Sequence, residues 1–128
     1  MLPTFTDMVD GMLEASVEQL SNMRLAVDKP HVLDDATVNR IIKLYSEQLE
    51  DHWLFEKQFA RWKRERLSDT EAKEVNRLID QSATLKATNE KILALAERIA
   101  PGTIDKIVAM DDFELGLKVL TGEIKPPK

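Results

Sequence analysis

Trp62-Lys63-Arg64-Glu65-Arg66-Leu67-Ser68-Asp69-Thr70-Glu71-Ala72-Lys73-Glu74-Val75 is the stretch about which this chain mirrors itself. Outward from it toward the N-terminus, Trp62, Phe59, Phe55, His52, Gln48, Tyr45, Ile41 and Val38 recede by alternating steps of three and four. Toward the C-terminus, Val75, Leu78, Ser82, Leu85, Asn89, Ile92, Ala96 and Ile99 advance by the same steps, so that opposed numbers total 137. Residues three and four apart share a helix face, so two matched stripes of this kind predict an antiparallel, coiled-coil-like helical hairpin.

The centre of the mirror reads as a turn. Ser68-Asp69-Thr70-Glu71 fits a capping box, in which serine accepts from the amide three residues on and glutamate reaches back to the serine amide. No glycine or proline intervenes, so one unbroken helix is the alternative. The phase speaks against it, because Trp62 and Val75 would then lie on nearly opposite faces of a single helix.

Further out, the hairpin helices extend over about 36–67 and 69–100, where Pro101-Gly102 ends the second. Each is roughly 45 Å long. An N-terminal helix is expected over about 4–28, capped by Thr4 or Thr6, with the stripe Phe5, Val9, Met12 and Leu13, Val17, Leu20, Met23 and Val27. Gly11 weakens it by roughly 1 kcal/mol relative to alanine, and Lys29-Pro30-His31 stops it. Short helices follow at Ile104–Met110 and Asp112–Thr121, then a frayed tail at about 123–128. The expectation is an all-α fold in a single domain over 1–128, with the N-terminal helix completing a bundle.

The hairpin is not uniformly apolar. Ile42, Leu44, Leu49, Trp53 and Leu54 flank one stripe, and Leu93, Leu95 and Ala100 the other, which is more surface than one helix pair can bury. The N-terminal helix, the short C-terminal helices or a second subunit should dock there. Near Ser68 the surface is narrow and charged, which predicts an arm whose tip stands in water.

Composition narrows the functional classes. The chain is 43% apolar and 32% charged, with no cysteine, so disulfides, thiolate metal sites and thiol nucleophiles are excluded. There is no leader-like start and no apolar run long enough to span a membrane, so a cytoplasmic location is expected. Net charge is −5 overall, yet residues 57–66 carry five basic side chains and one acidic, while residues 1–56 carry four basic and eleven acidic. An acidic protein with one basic island repels phosphate over most of its surface.

That island supplies the candidate interaction residues Lys57, Arg61, Lys63, Arg64 and Arg66, with Trp53 beside them. Their bland role is to pair with Glu65, Asp69, Glu71 or Glu74 across the hairpin and to sit favourably at a helix C-terminus. Phe55, Phe59 and Trp62 belong to the seam and are not free to stack on bases. Gln48 and Asn89 oppose each other as a polar layer that sets register at some cost in stability. His52, on the same stripe, reads as a buried histidine, because Leu49 stands where a Glu-x-x-His di-metal motif needs a carboxylate. Glu47, Glu50 and Asp51, with Glu71 and Glu74, invite comparison with helical nucleotide pyrophosphatases. The mirror, however, places Glu50 near Ala87 and Glu74 near Lys63, too far apart to share magnesium.

The sequence thus favours a non-enzymatic helical interaction or scaffold protein, self-associating as a dimer and able to engage an acidic protein partner, with no cofactor or metal. A nucleic-acid-associated accessory protein using residues 57–66 is the alternative, and a metal-dependent nucleotide hydrolase stands third.

Overall fold

The computed structural model describes residues 2–109. Four helices, α1 (Leu2–Ala26), α2 (Asp35–Lys63), α3 (Asp69–Ile99) and α4 (Ile104–Ala109), are joined by short connections, two of which contain a 3₁₀ turn, at Pro30–Val32 and Ala100–Gly102. No strand occurs among the described residues. The expected second C-terminal helix and the tail at 123–128 lie outside them.

The local signals act as their chemistry requires. Asp34 caps α2 by accepting from the Thr37 amide at 2.7 Å. Ser68 and Glu71 form the reciprocal capping box, each bond 3.1 Å long, and so start α3 after the bend at residues 64–68. The α1 helix begins earlier than expected, at Leu2, with Pro3 in the first turn, where its missing N–H costs nothing. Thr6 is therefore no cap; its hydroxyl donates to Glu74 of α3 at 3.1 Å.

The hairpin has the register read from the stripes. Val38, Tyr45, His52, Phe59 and Trp62 are buried on α2, and all eight stripe positions are buried on α3. Asn89 Nδ2 donates to Gln48 Oε1 at 2.9 Å, so these two residues stand opposite each other at mid-length as the stripes place them.

The third long helix makes α3 the spine. Both α1 and α2 approach its backbone along much of its length, whereas α1 has little backbone contact with α2. Up-down-up connection leaves α1 parallel to α3, so Thr6 meets Glu74, and Asp10 meets Arg77 and Gln81. Two cores result. One gathers Leu20, Met23 and Ala26 with Val38, Tyr45, Ile92, Ala96 and Ile99, and partly covers Ile42, Leu93, Leu95 and Ala100. The other joins Val9 to Phe59, Trp62, Val75 and Leu78.

This second core corrects the expected free arm. Phe5 sits edge-on to Phe55, Phe59 and Trp62 with centroids 5.4, 5.6 and 5.1 Å away, a favourable geometry for each pair. The tip is thus one end of a three-helix bundle. A second correction concerns α1, whose buried stripe runs through Ser16 and leaves Val17 53% exposed. Ser16 faces the Tyr45 hydroxyl, and a small residue fits where helices close on a bulky phenol.

The opposite end is closed by a latch. Gly102 packs so tightly on Pro30 that an added Cβ would lie 2.6 Å from Pro30 Cγ. The Ile104 amide donates to the Leu33 carbonyl at 2.9 Å. Asp35 accepts from Thr103 at 2.6 Å and from Lys106 at 2.8 Å, while its own amide donates to Asp105. These bonds hold the Asp35 carboxyl below its ordinary range, the Lys106 bond most strongly.

Candidate functional site

The buried face of α2 is spoken for, so its chemistry for others lies on the outward face. That face carries Glu47, Glu50 and Asp51, then Trp53 and Leu54, then Lys57, Arg61 and Arg64. Every one of these is exposed. Trp53 and Leu54 are 53% and 49% exposed, and Leu44, further up the helix, is 49% exposed. The docking of α1 covers much of the wide apolar end but not this part of it. Trp53 and Leu54 thus lie side by side on the outward face and belong to neither core.

The five basic residues do not make the ion pairs expected of them, although two of them take the expected place at a helix C-terminus. None of Lys57, Arg61, Lys63, Arg64 and Arg66 forms an ion pair among the described residues. Glu71 is committed to the capping box, and Glu74 is held by Arg77 at 2.7 Å and by Thr6. Arg64 Nε points back to the Ala60 carbonyl at 3.4 Å, and Arg61 and Lys63 occupy the last turn, where the helix dipole favours cations. Lys57 Nζ lies over the Trp53 ring, 5.3 Å from its centroid, which orients both side chains on the outward face. Leu54, Lys57, Gln58, Arg61, Arg64 and Glu65 line a shallow, open hollow there.

The inward polar residues have structural partners. His52 is 6% exposed; its Nε2 lies 3.4 Å from Ser82 Oγ and 3.7 Å from Glu56. Burial holds the imidazole below its ordinary 6.5, against the raising influence of Glu56, so it is neutral near pH 7. Burial likewise raises the Tyr45 phenol. Asn89 satisfies its amide nitrogen on Gln48, while its Oδ1 is buried without a partner.

Sequence reasoning missed the clamp between α1 and α3. Arg77 makes two bonds to Asp10, at 3.1 and 2.9 Å, and reaches Glu74 as well. These bonds lower the Asp10 and Glu74 carboxyls and raise the guanidinium above its usual range. No periodicity reveals such a clamp, because its members lie 67 residues apart and all look like ordinary surface charge.

A cleft of about 420 Å³ between α1 and α2, lined by residues including Met23, Leu33, Arg40, Ile41, Leu44 and Tyr45, contains no acid–base pair. Among the described residues no three His, Asp or Glu side chains gather as metal ligands, and no helix is long and apolar enough to cross a membrane. Comparison with protein-family models, with curated proteins and with solved structures finds no match to this chain.

Proposed function

We propose that this protein is a non-enzymatic helical interaction module that associates with itself through the outward face of α2. The observation that carries this reading is the adjacent, half-exposed pair Trp53 and Leu54, set on a helix whose other face is already filled. Aromatic and aliphatic side chains ringed by charge are the usual anatomy of an interface centre. One helix face is a small contact, at the low end of specific interfaces, so the expected dimer dissociates in the micromolar range.

Sedimentation equilibrium over a concentration series tests it. Wild type should show a reversible dimer, and Trp53→Ala should weaken it by roughly tenfold or more while helicity is unchanged. A wild type that stays monomeric at hundreds of micromolar, as an order of magnitude for this size class, sinks the proposal.

A second reading draws support from the unpaired cations. Lys57, Arg61, Lys63, Arg64 and Arg66, which form no ion pair among the described residues, could meet the phosphates of a nucleic acid as an accessory protein does. Net charge of −5 weighs against it. A mobility shift of labelled RNA or DNA at ~0.15 M salt separates the two. The hydrolase reading gains nothing, since Glu74 is occupied by Arg77 and Thr6.

A further inference from the structure

The exposed face of α2 is a charge palindrome. Centred on Leu54, it runs Glu47, Glu50 and Asp51 on one side and Lys57, the half-buried Gln58 and Arg61 on the other. Within one chain these charges are badly placed. Glu47, Glu50 and Asp51 crowd one another at helix spacings of three and four, as do Lys57, Arg61 and Arg64, and like charges so spaced repel. None of them finds an ion-pair partner among the described residues.

We propose that two copies pack α2 against α2 antiparallel, about a two-fold axis that passes beside Leu54. This rests on the self-association proposed above and adds its geometry. In that register residues along the line through Leu54 are opposed where their numbers total 108, and flanking residues pair one number to either side of that total. Glu47 meets the partner's Arg61 close to the line through Leu54, Glu50 meets the partner's Lys57 on one flank, and Asp51 meets the partner's Gln58 on the other. Leu54 meets its own copy, with both Trp53 rings flanking the axis. Because an isologous contact repeats each pair, both opposite-charge pairs are made twice.

The alternatives are penalised by the same residues. A parallel arrangement sets Glu47 on Glu47 and Lys57 on Lys57. An antiparallel slip of one heptad toward the N-terminus sets Glu50 against Asp51. Exposed ion pairs add little strength individually, so the charges select orientation and register while Trp53 and Leu54 supply affinity.

Charge reversal tests the geometry. Lys57→Glu alone creates two repulsive pairs per dimer, and so does Glu50→Lys alone; each should weaken association by about tenfold. Mixed in equal amounts, the two variants regain opposite charges at both positions and should form a heterodimer of near wild-type affinity. Both positions are solvent-exposed, and each variant should be as helical as wild type by circular dichroism. Since the chain has no cysteine, Leu54→Cys gives an independent check, because a residue beside the axis should oxidise rapidly to a covalent dimer whereas Lys43→Cys should not. A wild-type dimer whose affinity ignores the single reversals, or whose mixed variants fail to pair, overturns the register and leaves self-association standing. A monomeric wild type removes both.

Discussion

At the scale of single residues, His52 shows how position decides chemistry. The imidazole lies in the seam beside Ser82, and burial keeps it neutral at pH values where a solvated histidine begins to charge. Its folded pKa is below the ordinary 6.5 that it regains on unfolding, so between those two values the unfolded chain binds more protons. Stability is therefore complete above the unfolded value and is lost as pH falls through that window. His52→Gln should flatten the melting temperature between about pH 7.5 and about pH 5 relative to wild type. Thermal melts across that range check it, and an equally steep acid-side fall in the variant would assign the loss to other groups. The sequence places His52 on the stripe, but its distance from Ser82, one turn from its mirror position Leu85, depends on side-chain fit.

Among the elements, α2 and α3 were legible because their signals are local. The capping box and the stripes each need only a few neighbouring residues, and the short bend transmits register from one helix to the other. The α1 helix was legible as a helix but not in its packing. Choosing Val17 over Ser16 follows hydrophobicity, whereas a close approach to Tyr45 favours the smaller side chain. At the wide end Ile42, Leu93, Leu95 and Ala100 are partly covered while Leu44, Trp53 and Leu54 stay exposed, a division that α2 alone does not encode. The polar layer belongs to this scale too. Gln48 and Asn89 share one hydrogen bond, and the unpaired Asn89 Oδ1 costs on the order of 1–3 kcal/mol. Gln48→Leu with Asn89→Leu should raise the melting temperature by roughly 4 °C or more while admitting misaligned oligomers. Calorimetry with light scattering checks both effects; a marked loss of stability would show that the layer contributes more than alignment.

Over the whole molecule, the spine position of α3 orders the contacts by sequence distance. The α2–α3 pairings grow outward from a five-residue bend, whereas Thr6–Glu74 and Asp10–Arg77 close a loop of 67 or 68 residues. Closing the short loop first costs less chain entropy. Val9→Ala, in a fully buried α1 position, should cost about 2 kcal/mol and act mainly on the unfolding rate. Leu85→Ala, in the hairpin seam, should slow folding instead. Stopped-flow kinetics followed through buried Trp62 distinguishes them, and equal partition in both variants would mean that α1 docks together with the hairpin. The same arrangement bears on synthesis. A ribosome emits α1 and α2 before the helix on which both pack, and the side-chain contacts they share, at Phe5 and around Tyr45, leave their α3-facing sides open in the meantime. The nascent chain thus holds two amphipathic helices with bare apolar faces until α3 clears the exit tunnel, and in that interval it is a natural client for chaperones.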